Sequence, residues 1–285
     1  MADTINLREL LLFYADSGVD DALTDAPVDK FLPVEAPARP ATSQASQEPA
    51  ARMDRPSSKT AAPAPTPARP QTTVPDEGQS ERARLLARET GSLDELRACL
   101  EQFDGCNLKF TAKSLVFGDG NPEADIMLVG EAPGRDEDIE GLPFVGRSGQ
   151  LLDRMLTAIE LDRTQAYITN VIPWRPPGNR TPTPIETEIC RPFIERQIEL
   201  VKPKVLVALG GPSSKILLGT SDGIMRLRGS WKEHETPAGV KIPTMPLLHP
   251  AYLLRNPAHK KLAWRDLLEI KARLHQLRGD LPSTA

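Results

Sequence analysis

The 285-residue sequence is poor in cysteine, in aromatic residues and in long apolar runs. Three cysteines cannot staple a small secreted scaffold, so a disulfide framework is excluded. No apolar run approaches the roughly 18–20 residues that cross a bilayer, so no membrane role is expected. The opening Met1-Ala2-Asp3-Thr4 has no basic segment, and the apolar run behind it extends only from Leu10 to Tyr14. No signal peptide is evident, and a cytoplasmic protein is the default expectation. The dinucleotide fingerprint GxGxxG and the phosphate-cradling GKS or GKT are also absent. The net charge of −4 by itself argues against a nucleic-acid partner. That charge is unevenly distributed: residues 1–80 carry a net −5 and residues 81–285 a net +1. A near-neutral domain can still present a basic face, so the whole-chain charge excludes little.

Three regions follow from composition. Residues 4–15 place Leu7, Leu10, Leu11 and Tyr14 on one helical face, which predicts a short amphipathic helix within residues 1–23. Eleven prolines fall between residues 27 and 75, and no glycine lies between Gly18 and Gly78. Residues 24–80 therefore read as a disordered, partly extended Pro/Ala-rich linker. A helix of about 12 residues is marginal alone, so the N-terminal one is expected to dock, either on its own domain or on a replication or repair protein. The acidic Asp16, Asp20, Asp21, Asp25 and Asp29 beside it would repel phosphates.

From residue 81 to about 280 the pattern is that of a folded domain. Residues 81–103 read as helix. Apolar runs at 125–130, 166–171, 205–210 and 244–249 read as strands. Helical periodicity appears at 149–160, from the capping box Thr183-Pro184-Ile185-Glu186 to about Val201, and at 261–274. Alternating strands and helices predict an α/β fold with a parallel sheet covered on both faces. In such folds the site lies at the carboxyl ends of the strands.

Three loops at those ends carry unusual chemistry. The first, Gly130-Glu131-Ala132-Pro133-Gly134-Arg135-Asp136-Glu137-Asp138, packs acids into a tight turn, with Phe144 in a Gly/Pro-rich stretch behind it. The second begins at Asn170 and continues to Arg180; an amide there offers one donor and one acceptor, the complement of a pyrimidine edge. The third, His249-Pro250-Ala251-Tyr252-Leu253-Leu254-Arg255, places an imidazole before leucines and a cation, a pattern suited to a wedge in a base stack. Each has a plainer structural reading: a solvated acidic loop, a core phenylalanine, a turn asparagine, a structural histidine.

Together and in this order, GEAPGRDEDIEGLPFVGRSGQLLDRML, YITNVIPWRPPGNRTPTP and LLHPAYLLRNP closely resemble the family 4 branch of the uracil-DNA glycosylase superfamily. The resemblance spans about residues 100–275. It implies a three-layer α/β/α sandwich around a four-stranded parallel sheet, and an enzyme that flips uracil out of DNA and hydrolyses its N-glycosidic bond, leaving an abasic site. It also implies roles. Either Glu131 or Glu137 could orient the water; the favoured assignment gives Glu137 the water or the cationic sugar, with Glu131 supporting the pocket. Phe144 would stack on the flipped base, Asn170 would read its O4 and N3, and His249 would stabilise charge at O2. Leu253, Leu254 and Arg255 would fill the vacated stack, and Arg180 would face DNA. The expected unit is a monomer. Family members hold a 4Fe–4S cluster on four cysteines. Cys106 and Cys190 match two of those positions, but Phe103 and Trp174 occupy the other two and Cys99, seven residues before Cys106, matches poorly, so no cofactor is expected to be required for the chemistry. The alternative is a non-catalytic or uracil-trapping DNA-binding protein on the same fold. A trapping branch carries a histidine-bearing insert, whereas Met225–Trp231 has no histidine and His234 is expected to be exposed.

Overall fold

The computed structural model describes residues 77–279. The expected N-terminal helix and nearly all of the expected linker lie outside the described residues. Helix begins at Glu77, inside the span read as linker. Residues 81–103, read as one helix, are two: α1 (Glu77–Glu89) and α2 (Leu93–Gln102). The break falls at Thr90-Gly91-Ser92. Thr90 turns its hydroxyl back to Ala87 O (2.8 Å), and Ser92 caps α2 by accepting from Glu95 N (3.2 Å). Hydroxyls at these positions compete with the helical ladder and end it.

The sheet has six strands rather than the expected four. They are β1 (Asp119–Gly120), β2 (Ile126–Gly130), β3 (Ala166–Asn170), β4 (Val205–Leu209), β5 (Lys232–Glu235) and β6 (Lys241–Leu247), in the order β1-β3-β2-β4-β6-β5. The four expected strands form the parallel centre, β3-β2-β4-β6. The two additions are antiparallel edges. β1 is two residues long and β5 reads Lys-Glu-His-Glu, so neither shows apolar alternation in the sequence. Short, charged edges of this kind discourage pairing with another chain.

Side chains alternate across the sheet with period two. Met127, Val129, Leu206 and Ala208 pack toward α1, α2 and α6 (Pro184–Val201). Ile126, Leu128, Val207 and Leu209 pack toward α5 (Arg147–Thr157), α9 (Pro250–Arg255) and α10 (Lys260–Arg278). Every residue of β2, β3 and β4 is buried, as a sheet covered on both faces requires. The capping box of α6 forms as its sequence predicts. Thr183 accepts from Glu186 N (3.3 Å), and Glu186 accepts from Thr183 N (2.7 Å). The remaining helices are short: α3 (Leu108–Thr111), α4 (Arg135–Glu140), α7 (Gly211–Leu218) and α8 (Ile224–Leu227). Among the described residues no helix is long and apolar enough to cross a membrane.

His234, expected at the surface, is buried on β5, with Nδ1 2.7 Å from Leu217 O. Its strand is polar in sequence, but this one side chain turns inward toward α7.

Candidate active site

The carboxyl ends of β2, β3, β4 and β6 open into one cleft of about 520 Å³. Seven of the expected site residues line it: Glu131, Glu137, Phe144, Asn170, Arg180, His249 and Arg255. Gly134, Asn179, Gly210, Ile224 and Tyr252 complete much of the wall.

Phe144 and Asn170 meet over Gly130. A Cβ on Gly130 would lie 2.3 Å from Asn170 Oδ1 and 2.7 Å from Phe144 Cζ, so only glycine lets the ring and the amide converge there. Phe144 itself has φ +55°, a conformation that costs a bulky residue of order 1–3 kcal/mol. Arg163 holds it. One guanidinium nitrogen donates to Pro143 O (3.1 Å) and another to Phe144 O, while Asp119 (2.6 Å) and Asp153 (2.8 Å) anchor the cation from below. From the other side, Gly149 approaches so closely that a Cβ there would lie 1.6 Å from Phe144 O. Nothing in the segment Leu161-Asp162-Arg163-Thr164 announces this role in the sequence. Only the return of the chain beside the 143–149 loop creates it.

The two glutamates sit in different environments. Glu137 is buried, and its carboxylate accepts from three backbone amides: Gly134 N, Val145 N and Gly146 N, each at 3.1 Å. It ties the 130–134 turn to the loop that carries Phe144. Glu131 is half-buried on the cleft wall, and desolvation raises its carboxyl above the usual range.

His249 caps α9. Its Nδ1 accepts from Ala251 N (3.1 Å), which assigns the ring proton to Nε2. Desolvation, with a smaller contribution from Arg255, lowers its pKa to about 4, so the ring is neutral near pH 7. Its centroid lies 5.6 Å from that of Phe144. The site thus brings together a neutral donor, an aromatic face, an amide and a carboxylate of raised pKa, a set suited to holding a planar polar ring while charge develops on it.

Residues 117–268 match the Uracil DNA glycosylase superfamily. The chain belongs to this superfamily. It is 42% identical over 170 residues to a Type-4 uracil-DNA glycosylase of Archaeoglobus fulgidus, covering 58% of this chain and 85% of that protein. It is 39% identical over 188 residues to one of Sulfurisphaera tokodaii, covering 63% and 84%. It is 39% identical over 173 residues to one of Thermotoga maritima, covering 59% and 86%.

Five of the expected residues are held in ways that bear on their roles. Leu253 is buried in the core beneath α9 and Leu254 is partly buried against it, so Leu253 is not an exposed wedge. The helical turn from Pro250 to Arg255 directs that leucine inward, which the linear order of the loop does not reveal. Arg180 lies at the cleft rim with its guanidinium held by Glu186 at 2.6 and 2.8 Å. Cys106 and Cys190 are buried in the core layer shared with α1, α2 and α6 and do not line the cleft. Their sulfurs are 3.9 Å apart, with Cys190 donating to Cys106. That contact lowers the Cys106 thiol pKa and raises that of Cys190 well above the ordinary range. Phe103 and Trp174 fill the remaining positions of the family pattern and Cys99 stands half-buried on α2, so the residues at this corner do not fit a four-thiolate cluster.

Proposed function

We propose that this protein excises uracil from DNA, leaving an abasic site, as the first step of base excision repair. The observation that carries the reading is the convergence of Phe144, Asn170, His249 and Glu131 on one cleft at the strand ends. A duplex hides the target atoms, so the nucleotide must first be extruded into that cleft. Phe144 offers the face for the base. The Asn170 amide pairs with O4 and N3, accepting from N3–H and donating to O4. As the bond between C1′ and N1 breaks, its electron pair passes to the base and negative charge gathers at O2. His249, donating from Nε2, meets that charge; a preorganised donor of this kind contributes about 3–4 kcal/mol.

Glu131 is the carboxylate placed to orient water toward C1′ and to take its proton, while Glu137 braces the loops. The resemblance left either acid open for this task with Glu137 favoured, and the three backbone donors on Glu137 support giving it to Glu131 instead. The chemistry so written uses only water and this chain's own side chains. Arg255 and Arg180 at the rim face the phosphates on either side of the extruded nucleotide.

Incubating the full chain with a uracil-containing oligonucleotide is expected to release free uracil and leave an alkali-labile strand. No release at high protein concentration would overturn the reading. Uracil retained in a denaturant-stable adduct would replace it with trapping. E131Q is expected to lower kcat by about 10²-fold or more, as loss of a positioned base does. E137Q is expected to act mainly on stability.

A further inference from the structure

Outside the cleft, the proposed reaction leaves one corner without a role, between α2, α6 and the loop after β3. We infer that this corner is an iron-independent apolar joint, in which Phe103 and Trp174 take the place of two cluster ligands and Trp174 holds the rim loop of the cleft.

The packing is that of a closed interior. Phe103 and Trp174 are 1% and 2% exposed, and Cys106 and Cys190 are fully buried beside them in one continuous core. The Phe103 ring meets Phe193 edge-on, with centroids 5.0 Å apart and planes at 64°. On its other side the Arg82 guanidinium lies 5.9 Å from its centroid. The ring also reaches the backbone: a Cβ on Gly105 would lie 2.4 Å from Phe103 Cζ. Edge-to-face rings and a cation over a π face are attractive in their own right, so the corner has cohesion without metal. The Cys190 thiol donates a hydrogen bond to Cys106 Sγ at 3.9 Å, so each sulfur has a partner inside the core.

The joint is continuous with the site. From Asn170 the chain runs beside the first loop, with Val171 N donating to Gly130 O and Ile172 N to Glu131 O, both at 3.0 Å. Pro173 O then accepts from Val116 N (2.9 Å), and Trp174 enters the core. Past it, the chain emerges as the rim that carries Pro176, Asn179 and Arg180. Trp174 is thus the buried peg between Asn170 and the rim, and acts as a positioning residue.

The test uses the full chain, purified anaerobically from iron-fed cells. Iron and acid-labile sulfide are expected at trace levels, with no broad visible absorption and no change of thermal midpoint on chelation. Iron at four per chain, as a 4Fe–4S group requires, or a midpoint that falls with chelator, would overturn the inference. W174A is expected to lower the midpoint by roughly 10 °C, with W174F retaining most of it. An unchanged midpoint in W174A would overturn the joint. The activity arm rests on the proposed uracil excision. There W174F, which stays folded, is expected to raise KM for a uracil-containing oligonucleotide several-fold with little change in kcat; no change in KM would remove the positioning role. A chain that excises nothing fails the functional reading alone, because the iron and thermal measurements still decide the joint.

Discussion

At the scale of single residues, the cleft depends on side chains held where they would not rest unaided. Phe144 keeps a left-handed backbone because Arg163 grips the carbonyls of residues 143 and 144 while Asp119 and Asp153 hold the guanidinium. Removing that grip frees a conformation worth about 1–3 kcal/mol, so R163M is expected to raise KM roughly tenfold. R163K, which keeps charge but not the fork, recovers part of the loss. Steady-state kinetics on the two variants checks this, and equal KM in all three proteins would show that Phe144 needs no clamp. Asn170 poses a sharper chemical demand. N170D replaces a donor by an acceptor opposite O4, and a mismatched buried polar pair costs about 1–3 kcal/mol, so uracil excision is expected to fall by about 10²-fold. Unchanged excision would make Asn170 structural.

At the scale of elements, loops are tied to the sandwich by a few charged contacts. Arg228, just past α8, donates to both carboxylate oxygens of Asp266 on α10, through Nε at 2.9 Å, and to Leu262 O at 3.0 Å. Burial raises the Asp266 carboxyl, and Arg228 opposes that shift. The pair fixes α8, whose Ile224 lines the cleft. Removing one partner strands the other charge, so D266N is expected to cost about 3 kcal/mol or more, while R228M together with D266L costs less than either change alone. Chemical denaturation of the three variants measures this. Additive losses would show that the two side chains are not coupled.

At the scale of the whole molecule, protonation links the site to stability. The folded chain holds His249 at about 4, against 6.5 for a free imidazole. Between those values the unfolded chain binds the proton more readily, so stability is full above about pH 6.5 and is lost as pH falls toward 4. Glu131 contributes in the opposite sense, because its raised pKa favours the protonated folded form. The thermal midpoint of the wild type is expected to fall over the histidine window and that of H249N to fall less. Parallel curves would show that His249 carries no such linkage. Activity has a separate acid limb: Glu131 must be ionised, so kcat is expected to fall on acidification at a pH above the usual glutamate range, and E131Q should lack that limb.

Elements whose cause is local were legible in the linear chain. Apolar runs marked β2, β4 and the end of β6, and Ala166-Tyr167-Ile168 marked the start of β3, because strands covered on both faces have little polar surface. Thr183, Pro184 and Glu186 fixed the start of α6, because a capping box satisfies its own backbone donors. The order of the three loops was legible too, and with it the residues of the cleft. The folded molecule settled what depends on distant segments meeting. It added β1 and β5, whose two and four residues take their conformation from a neighbouring strand rather than from their own pattern. It placed Arg163 beneath Phe144 across 19 residues, and it turned Leu253 inward. It also gave Glu137 three backbone donors and left Glu131 facing the cleft. Two acids six positions apart look alike in a sequence; they differ once folding gives Glu137 three backbone donors and leaves Glu131 half-buried on the cleft wall.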